Sequence, residues 1–514
     1  MSRRIHVLIL AAAMVGIFPV GAPLKAASLP AVEARQAMVV SAQHLAAEAG
    51  LEMLKAGGNA VDAAVAMGFA EAVTNPCCGN LGGGGFMTLH LANGSDHFIN
   101  FREKAPRAAQ ATMYQNADGS LKKGASLNGY LAVGVPGTVA GLLMALEKYG
   151  SLPRQTVMEP AIRLARDGFV LTRGDTDILH TSTAKFAADP ALARVFLRSD
   201  GTAFEPGDRL VQTDLAATLQ RIAEHGAEGF YQGPVAKALA AASEANGGII
   251  TEADLAGYQA QEMPPLHCAY RGYDIVSAPP PSSGGTTMCE ILGILEGYDL
   301  KSLGFRSAQS VHLIVEAMRH AYLDRNTLLG DPDFVKNPLD RLLSPDYATA
   351  IRATIDPDHA GKSTDLKPGT MPHEKPETTH YSVLDSQGNA VAVTYTINGL
   401  FGAGVIAPGT GFFLNNEMDD FTTRPGQPNL FGLVQGPQNA IAPGKRPLSS
   451  MAPTIVTRDG KPVLVLGSPG GARIITITLE TILNLIDYGM ELQEAVDAPR
   501  FHHQWLPDEV YVET

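Results

Sequence analysis

The stretch AVDAAVAMGFAEAVT, residues 60 to 74, is apolar almost all the way round a helical wheel. A helix without a polar face has to be covered from several sides in a soluble protein, so the chain must fold in layers. Asn59 supplies an N-cap for this helix. Gly57 and Gly58 separate it from a preceding helix in HLAAEAGLEMLK, and AMVVSAQ ahead of both predicts a strand.

What the helix packs against is written in the β-type segments. FMTLHL and HFINFRE flank Asn93-Gly94, a strong hairpin signal. From Thr378 onward THYSVLD and AVAVTYTI alternate across SQGN, and PTIVTRDGKPVLVLGSPGG is a second strand–turn–strand unit with Asp459-Gly460 at its turn. ARIITITLETILNLIDYG then predicts an amphipathic helix. Residues 125 to 350 read as mostly helical, and 351 to 377 as an exposed linker rich in Pro, Asp and Lys. The stretch RPGQPNLFGLVQGPQNAIAPGKRP is too long for a simple connection. Helices around hairpin-rich sheets predict an α+β layered sandwich rather than a doubly wound α/β sheet.

At 514 residues the chain is long enough for a large core or for two to three domains of ~100–200 residues each. A net charge of −13 excludes a general nucleic-acid binder, which needs clustered Lys and Arg. Arg3 and Arg4, the apolar run from Val7 to Phe18 and the small residues Ala26-Ala27 resemble an export signal, although Lys25 disturbs the usual cleavage pattern. The apolar run falls short of the roughly 20 residues of a membrane span, so a periplasmic or secreted protein with no stable membrane span is expected. Cys77, Cys78, Cys268 and Cys289 fit no metal spacing and read as small buried or free thiols.

Common catalytic patterns are absent. GGGG at Gly82 to Gly85 is not a phosphate loop, GSPGG carries Leu466 where a nucleophile elbow needs glycine, and adjacent His502 and His503 do not share a helix face. PETTHYSVLD, residues 376 to 385, offers a different chemistry. A threonine at the head of a strand becomes a nucleophile if the bond before it is cut. Its own α-amine, with a reference pKa of ~7.7–8.0, then takes the hydroxyl proton. Pattern alone leaves Thr378 and Thr379 equal candidates.

TTHYSVLD, VAVTYTIN, NNEMDDF, KRPLSSMAPTIV, GSPGGARIIT and APRFHHQWLPDE follow one another in that order, preceded by GNLGGGGFM and FREKAPRAA. This ordered set, from about Met38 to the last residue, resembles the γ-glutamyltranspeptidase family of N-terminal nucleophile hydrolases. The resemblance implies a four-layer αββα sandwich. It implies self-cleavage between Glu377 and Thr378 after loss of residues 1–27, giving a large subunit 28–377 and a small subunit 378–514. Thr378 matches the nucleophile, and Thr396 the second threonine that supports it. Arg102 resembles the clamp on the substrate α-carboxylate, with Ser449 and Ser450 as hydroxyl partners. Asn398, Glu417 and Asp420 match the acceptors of the α-ammonium. Gly470 and Gly471 would turn their N–H groups to the oxyanion.

The implied substrates are glutathione and related γ-glutamyl compounds, with water or an amino-acid or peptide amine as acceptor. The implied chemistry needs no metal and no organic cofactor. Two readings compete: a cephalosporin (glutaryl) acylase-like amidase, and an unprocessed inactive γ-glutamyl-binding homologue. Phe431 stands in the lid where many bacterial relatives have tyrosine, and Glu417 where some have glutamine. The family usually continues for several dozen residues past DEVYVET, so C-terminal strands of the central sheet are expected to be missing here.

Overall fold

A computed structural model describes residues 28–363 and 378–513; the expected signal segment 1–27 and Glu377 lie outside them. The chain begins with β1 (Met38–Ser41), α1 (His44–Lys55), α2 (Ala60–Thr74), β2 (Gly84–His90) and β3 (Asp96–Asn100). Helices α3 (Thr138–Tyr149), α4 (Arg154–Asp167) and α5 (Thr213–His225) follow. Next come β4 (Gln261–Met263), β5 (Leu266–Tyr270), β6 (Tyr273–Ser277), α6 (Gly284–Leu295) and α7 (Ala308–Leu328). Beyond Thr378 lie β7 (Thr379–Leu384), β8 (Ala390–Thr396), β9 (Thr454–Arg458), β10 (Lys461–Leu466) and α8 (Ile474–Ile486).

These elements form four layers, as the αββα expectation requires. Every residue of α2 is buried, because α1, α3 and α4 cover it on one side and β7 and β8 on the other. A capping box between Asn59 and Asp62 starts that helix. Glycine at position 68 lets the sheet come close: an added β-carbon would lie 2.6 Å from Tyr381 Oη. The second layer is a six-stranded sheet in the order β1-β7-β8-β2-β3-β4, and the third a four-stranded sheet in the order β10-β9-β6-β5. All their ladders are antiparallel. The fourth layer is α6, packed on β5 and β6 and flanked by α7 and α8.

Alternation along β8 explains how both of its faces are buried. Val391, Val393 and Tyr395 join the core under α2, while Ala390 and Ala392 meet Val276 and Ile455 of the other sheet. Small residues on the second face let the two sheets approach. Each sheet also combines strands from before and after residue 378, so the two portions share one core rather than forming separate domains.

Residues 125 to 350 are mostly helical, as read, and also hold the short β5–β6 hairpin, LHCAY and YDIVS turning at Arg271-Gly272. Two readings need correction. Cys268 and Cys289 are not free thiols but form a disulfide joining β5 to α6, because the packing of those two elements brings their Cα atoms to 6.0 Å. Cys77 and Cys78 are buried thiols. The expected linker is not exposed throughout: Ile351 is buried at the end of a helix, and the Ser363 N–H donates to Asp508 at 2.8 Å.

Candidate active site

The β7–β8 register pairs Tyr395 with Thr379, and its continuation sets Thr378 opposite Thr396. Both belong to the strand face turned toward the second sheet, at the end of the seam between the two sheets. The Asn398 N–H donates to Thr396 Oγ1 at 2.9 Å, and Asn398 takes a positive φ of 72° as the chain leaves β8. His380, two residues along the same face, contacts Thr394 Oγ1 at 2.8 Å and Ser382 Oγ at 2.9 Å. Burial pushes its pKa down to about 3, so it is a neutral structural side chain.

At the end of that seam lies a small, narrow pocket. Thr378, Thr396, Arg102, Asn398, Glu417, Asp420, Ser449, Ser450, Phe431 and Gly471 all line it. Of the residues expected at the site and described, only Gly470 is not part of the lining; it precedes Gly471 with φ 135°.

One wall is a buried charge cluster. Arg102 Nη1 is paired with Glu417 and Nη2 with Asp420, while Glu103 lies 3.5 Å from Nη1. Burial opposes the guanidinium charge, but Glu417, Asp420 and Glu103 outweigh it and hold the Arg102 pKa above its ordinary value. Burial pushes the Glu103 carboxyl up to about 7 and that of Glu417 well above the usual range. The expected carboxylate clamp and two of the expected ammonium acceptors therefore form one unit. A substrate Cα bearing both groups needs such adjacency.

Another part of the lining carries the hydroxyls. Ser449 Oγ accepts from the Met451 N–H at 3.1 Å, and Ser450 Oγ accepts from Arg325 Nη2 at 2.9 Å. Neither hydroxyl proton is used in those bonds, so each is available to donate. Sequence reading missed Arg325 and Glu103. Buried Met318, Ala321, Tyr322 and Arg325 recur at helical spacing along α7, and that period was the signal available for Arg325. Glu103 lies beside Arg102 in FREKAPRAA, but nothing in that motif assigned it a role.

The long loop forms a roof. Pro428 pairs with Val434, and Gly432 turns the tip with φ 73°. Asn429 Oδ1 accepts from the N–H groups of Phe431 and Leu433, and its Nδ2 donates to Asp420 at 3.1 Å. The Leu430 N–H donates to Asp419 at 2.7 Å, and Gln504 Nε2 to the Phe431 carbonyl at 3.1 Å. Phe431, buried against Gly471, is thus held from the charge cluster and from the C-terminal segment.

Residues 46–514 match the family described as Gamma-glutamyltranspeptidase. The chain belongs to the γ-glutamyltranspeptidase family. It is 61% identical over 488 residues to a glutathione hydrolase proenzyme of Pseudomonas sp. (strain A14), covering 95% of this chain and 85% of the relative. With a glutathione hydrolase proenzyme of Escherichia coli (strain K12) the identity is 50% over 483 residues, covering 94% and 83%. Among solved structures, cephalosporin acylase from Bacillus halodurans is similar with a TM-score of 0.80 at 29% identity, covering 95% of this chain and 87% of that one. The four-layer sandwich of this chain, similar to that acylase over 95% of its length, is the N-terminal nucleophile hydrolase fold expected from the sequence.

Metal-ligand side chains gather away from this pocket. Among the described residues Asp96, His267 and Asp274 come together. They are already paired, His267 Nδ1 with Asp274 at 3.1 Å and Asp96 with His90 at 2.7 Å.

Proposed function

We propose that this γ-glutamyltranspeptidase is a γ-glutamyl hydrolase and transferase with Thr378 as nucleophile, acting on glutathione and related γ-glutamyl amides. The observation that carries the reading is that Thr378 shares one small cavity with Arg102, Asp420, Ser449 and Ser450. A nucleophile at one end and groups for an amino-acid head at the other suit a γ-glutamyl amide, whose reacting carbonyl lies several bonds from its Cα.

Maturation comes first. Thr378 Oγ1 attacks the Glu377 carbonyl carbon, the C–N bond to Thr378 breaks, and the nitrogen leaves as the Thr378 α-amine. Water then cleaves the resulting ester, giving chains 28–377 and 378–514. The sharing of both sheets by the two portions supports their staying together after the cut. In turnover the new amine accepts the Oγ1 proton while Oγ1 attacks the γ-carbonyl. Negative charge collects on the carbonyl oxygen, which the N–H groups of Gly470 and Gly471 stabilise. The amine leaves with a proton, and water or an acceptor amine resolves the γ-glutamyl ester.

Export to the periplasm or medium is part of the proposal. The Cys268–Cys289 disulfide supports it, since such bonds persist in oxidising compartments. No helix among the described residues is long and apolar enough to cross a membrane.

The experiment is a denaturing gel with intact-mass analysis, beside turnover of γ-glutamyl p-nitroanilide, for wild type and Thr378→Ala. Wild type should split and turn over; the variant should do neither. A Thr378→Ala chain that still divides would sink the self-processing claim. The likeness to an acylase makes a glutaryl amidase the competing reading. A glutaryl substrate lacks the α-ammonium that Glu417 and Asp420 suit, so the γ-glutamyl anilide should be the better donor. Faster turnover of glutaryl p-nitroanilide would reverse the assignment.

A further inference from the structure

The pocket holds two buried guanidinium groups in opposite electrostatic situations. Arg102 has three carboxylates within 4.0 Å, whereas Arg325, equally buried, has none among the described residues. Arg325 is held instead by neutral oxygens. Nε donates to Ser283 Oγ at 3.0 Å, Nη1 to Asn326 Oδ1 at 2.8 Å and Gln435 Oε1 at 3.1 Å, and Nη2 to Ser450 Oγ at 2.9 Å. A guanidinium has five N–H groups. These bonds use four of them, and the fifth sits on Nη2 beside Ser450.

Its supports are themselves fixed. Ser283 Oγ donates to the Ser449 carbonyl at 2.6 Å, and Gln435 Nε2 to the Asp420 carbonyl at 2.9 Å. The cation is therefore framed by the backbone of the two elements that carry the serines and the acidic cluster. A buried cation without a counter-ion is costly unless the function supplies one.

We propose that Arg325 is the positioning residue for the carboxylate end of the substrate: it orients the Ser450 hydroxyl and provides the positive charge behind the Ser449–Ser450 pair. By donating to Ser450 Oγ, Arg325 occupies an acceptor lone pair and leaves the O–H to point at an anion. Ser449 is set the same way by the Met451 N–H. A carboxylate bound there receives two hydroxyl donors and lies next to a cation that has no protein carboxylate in direct contact among the described residues, Asp420 acting on it only from a distance. Arg102, already shared between Glu417 and Asp420, then serves both ends of the amino-acid head. This division rests on the γ-glutamyl reading above and names the residue that makes the pocket demand an α-carboxylate.

The test compares two donors, γ-glutamyl p-nitroanilide and the same anilide with its α-carboxylate replaced by carboxamide. Mature two-chain wild type, Arg325→Lys, Arg325→Met, Ser450→Ala and the Arg325→Met/Ser450→Ala double variant are measured. The kcat/KM preference for the carboxylate donor should fall by about tenfold or more in Arg325→Met, chiefly through KM. Arg325→Lys, which keeps the charge, should recover part of it. The double variant should lose less than the sum of the two single losses, because Arg325 acts in part through Ser450. Equal losses on both donors, or additive losses in the double variant, would overturn the inference. If the Met variant does not mature, Ser283→Ala removes the Nε acceptor and keeps the charge. It should lower the preference, and an unchanged preference would count against Arg325. Wild type inactive on both donors would instead refute the γ-glutamyl reading itself.

Discussion

Phe431 occupies the space that a side chain at Gly471 would need: a β-carbon there would fall inside van der Waals contact with the Phe431 ring. Gly471 also has φ 55°, a conformation side chains disfavour. Roof and proposed oxyanion site are thus one packed unit. Gly471→Ala should lower kcat by about 10²-fold or more. Adding Phe431→Ala should restore part of the loss by opening room, which steady-state kinetics of the mature double variant would reveal. No recovery would locate the damage in the backbone alone.

The roof is anchored by Gln504. Its Nε2 donates to the Phe431 carbonyl, and its Oε1 lies 2.8 Å from His502 Nε2. Gln504→Leu should loosen the Phe431 loop at a cost of about 1–3 kcal/mol. Faster hydrogen exchange at residues 429–433 and a raised KM are expected. Unchanged exchange would mean that Asn429 and Asp419 suffice to hold the loop.

Asp420 and Glu417 share Arg102 in a buried setting. Asp420→Ala leaves that charge partly uncompensated and should cost about 3–5 kcal/mol of stability. Asp420→Asn, which keeps the shape, should cost less. Denaturant unfolding of both variants provides the check, and equal costs would contradict the charge argument.

Glu71, buried in α2 and bonded to Ser41 and to Asn75, has its carboxyl pushed up to about 7 by desolvation. Between an unfolded pKa near ~4.5 and that value, the folded state binds more protons than the unfolded one. Its contribution to stability is therefore fully present below pH ~4.5 and lost as pH rises to about 7. Glu71→Gln should flatten this part of the stability–pH curve. A wild-type slope that survives in the variant would assign it elsewhere.

The disulfide closes a loop with a sequence separation of 21. Cys268→Ser with Cys289→Ser should cost about 3 kcal/mol by the loop-entropy relation. A lower Tm in the double variant, matched by wild type under reductant, is the expected result.

How legible the site was depended on how local its signals are. Thr378, Asp420, Ser449 and Gly471 sit in short contiguous motifs, and their order along the chain was enough to single them out. Arg325 sits in no such motif. Its role depends on α7 lying beside the Ser449–Ser450 segment, a contact separated by 125 residues in sequence. Glu103 was missed for a related reason: burial, invisible in a charged pair beside Phe101, is what sets it apart.

By itself the sequence determined the layered class, through the wholly apolar helix at 60–74, and pointed to the chemistry, through a threonine heading a strand within an ordered set of short family-like motifs. Both are local: helical periodicity and strand alternation are read from neighbours. Tertiary structure alone decided that Cys268 meets Cys289, that β5 and β6 complete the second sheet, and that Phe431 closes on Gly471. It also decided which buried arginine is neutralised. Those outcomes depend on distances between segments far apart in the chain, which only the packing of the layers sets.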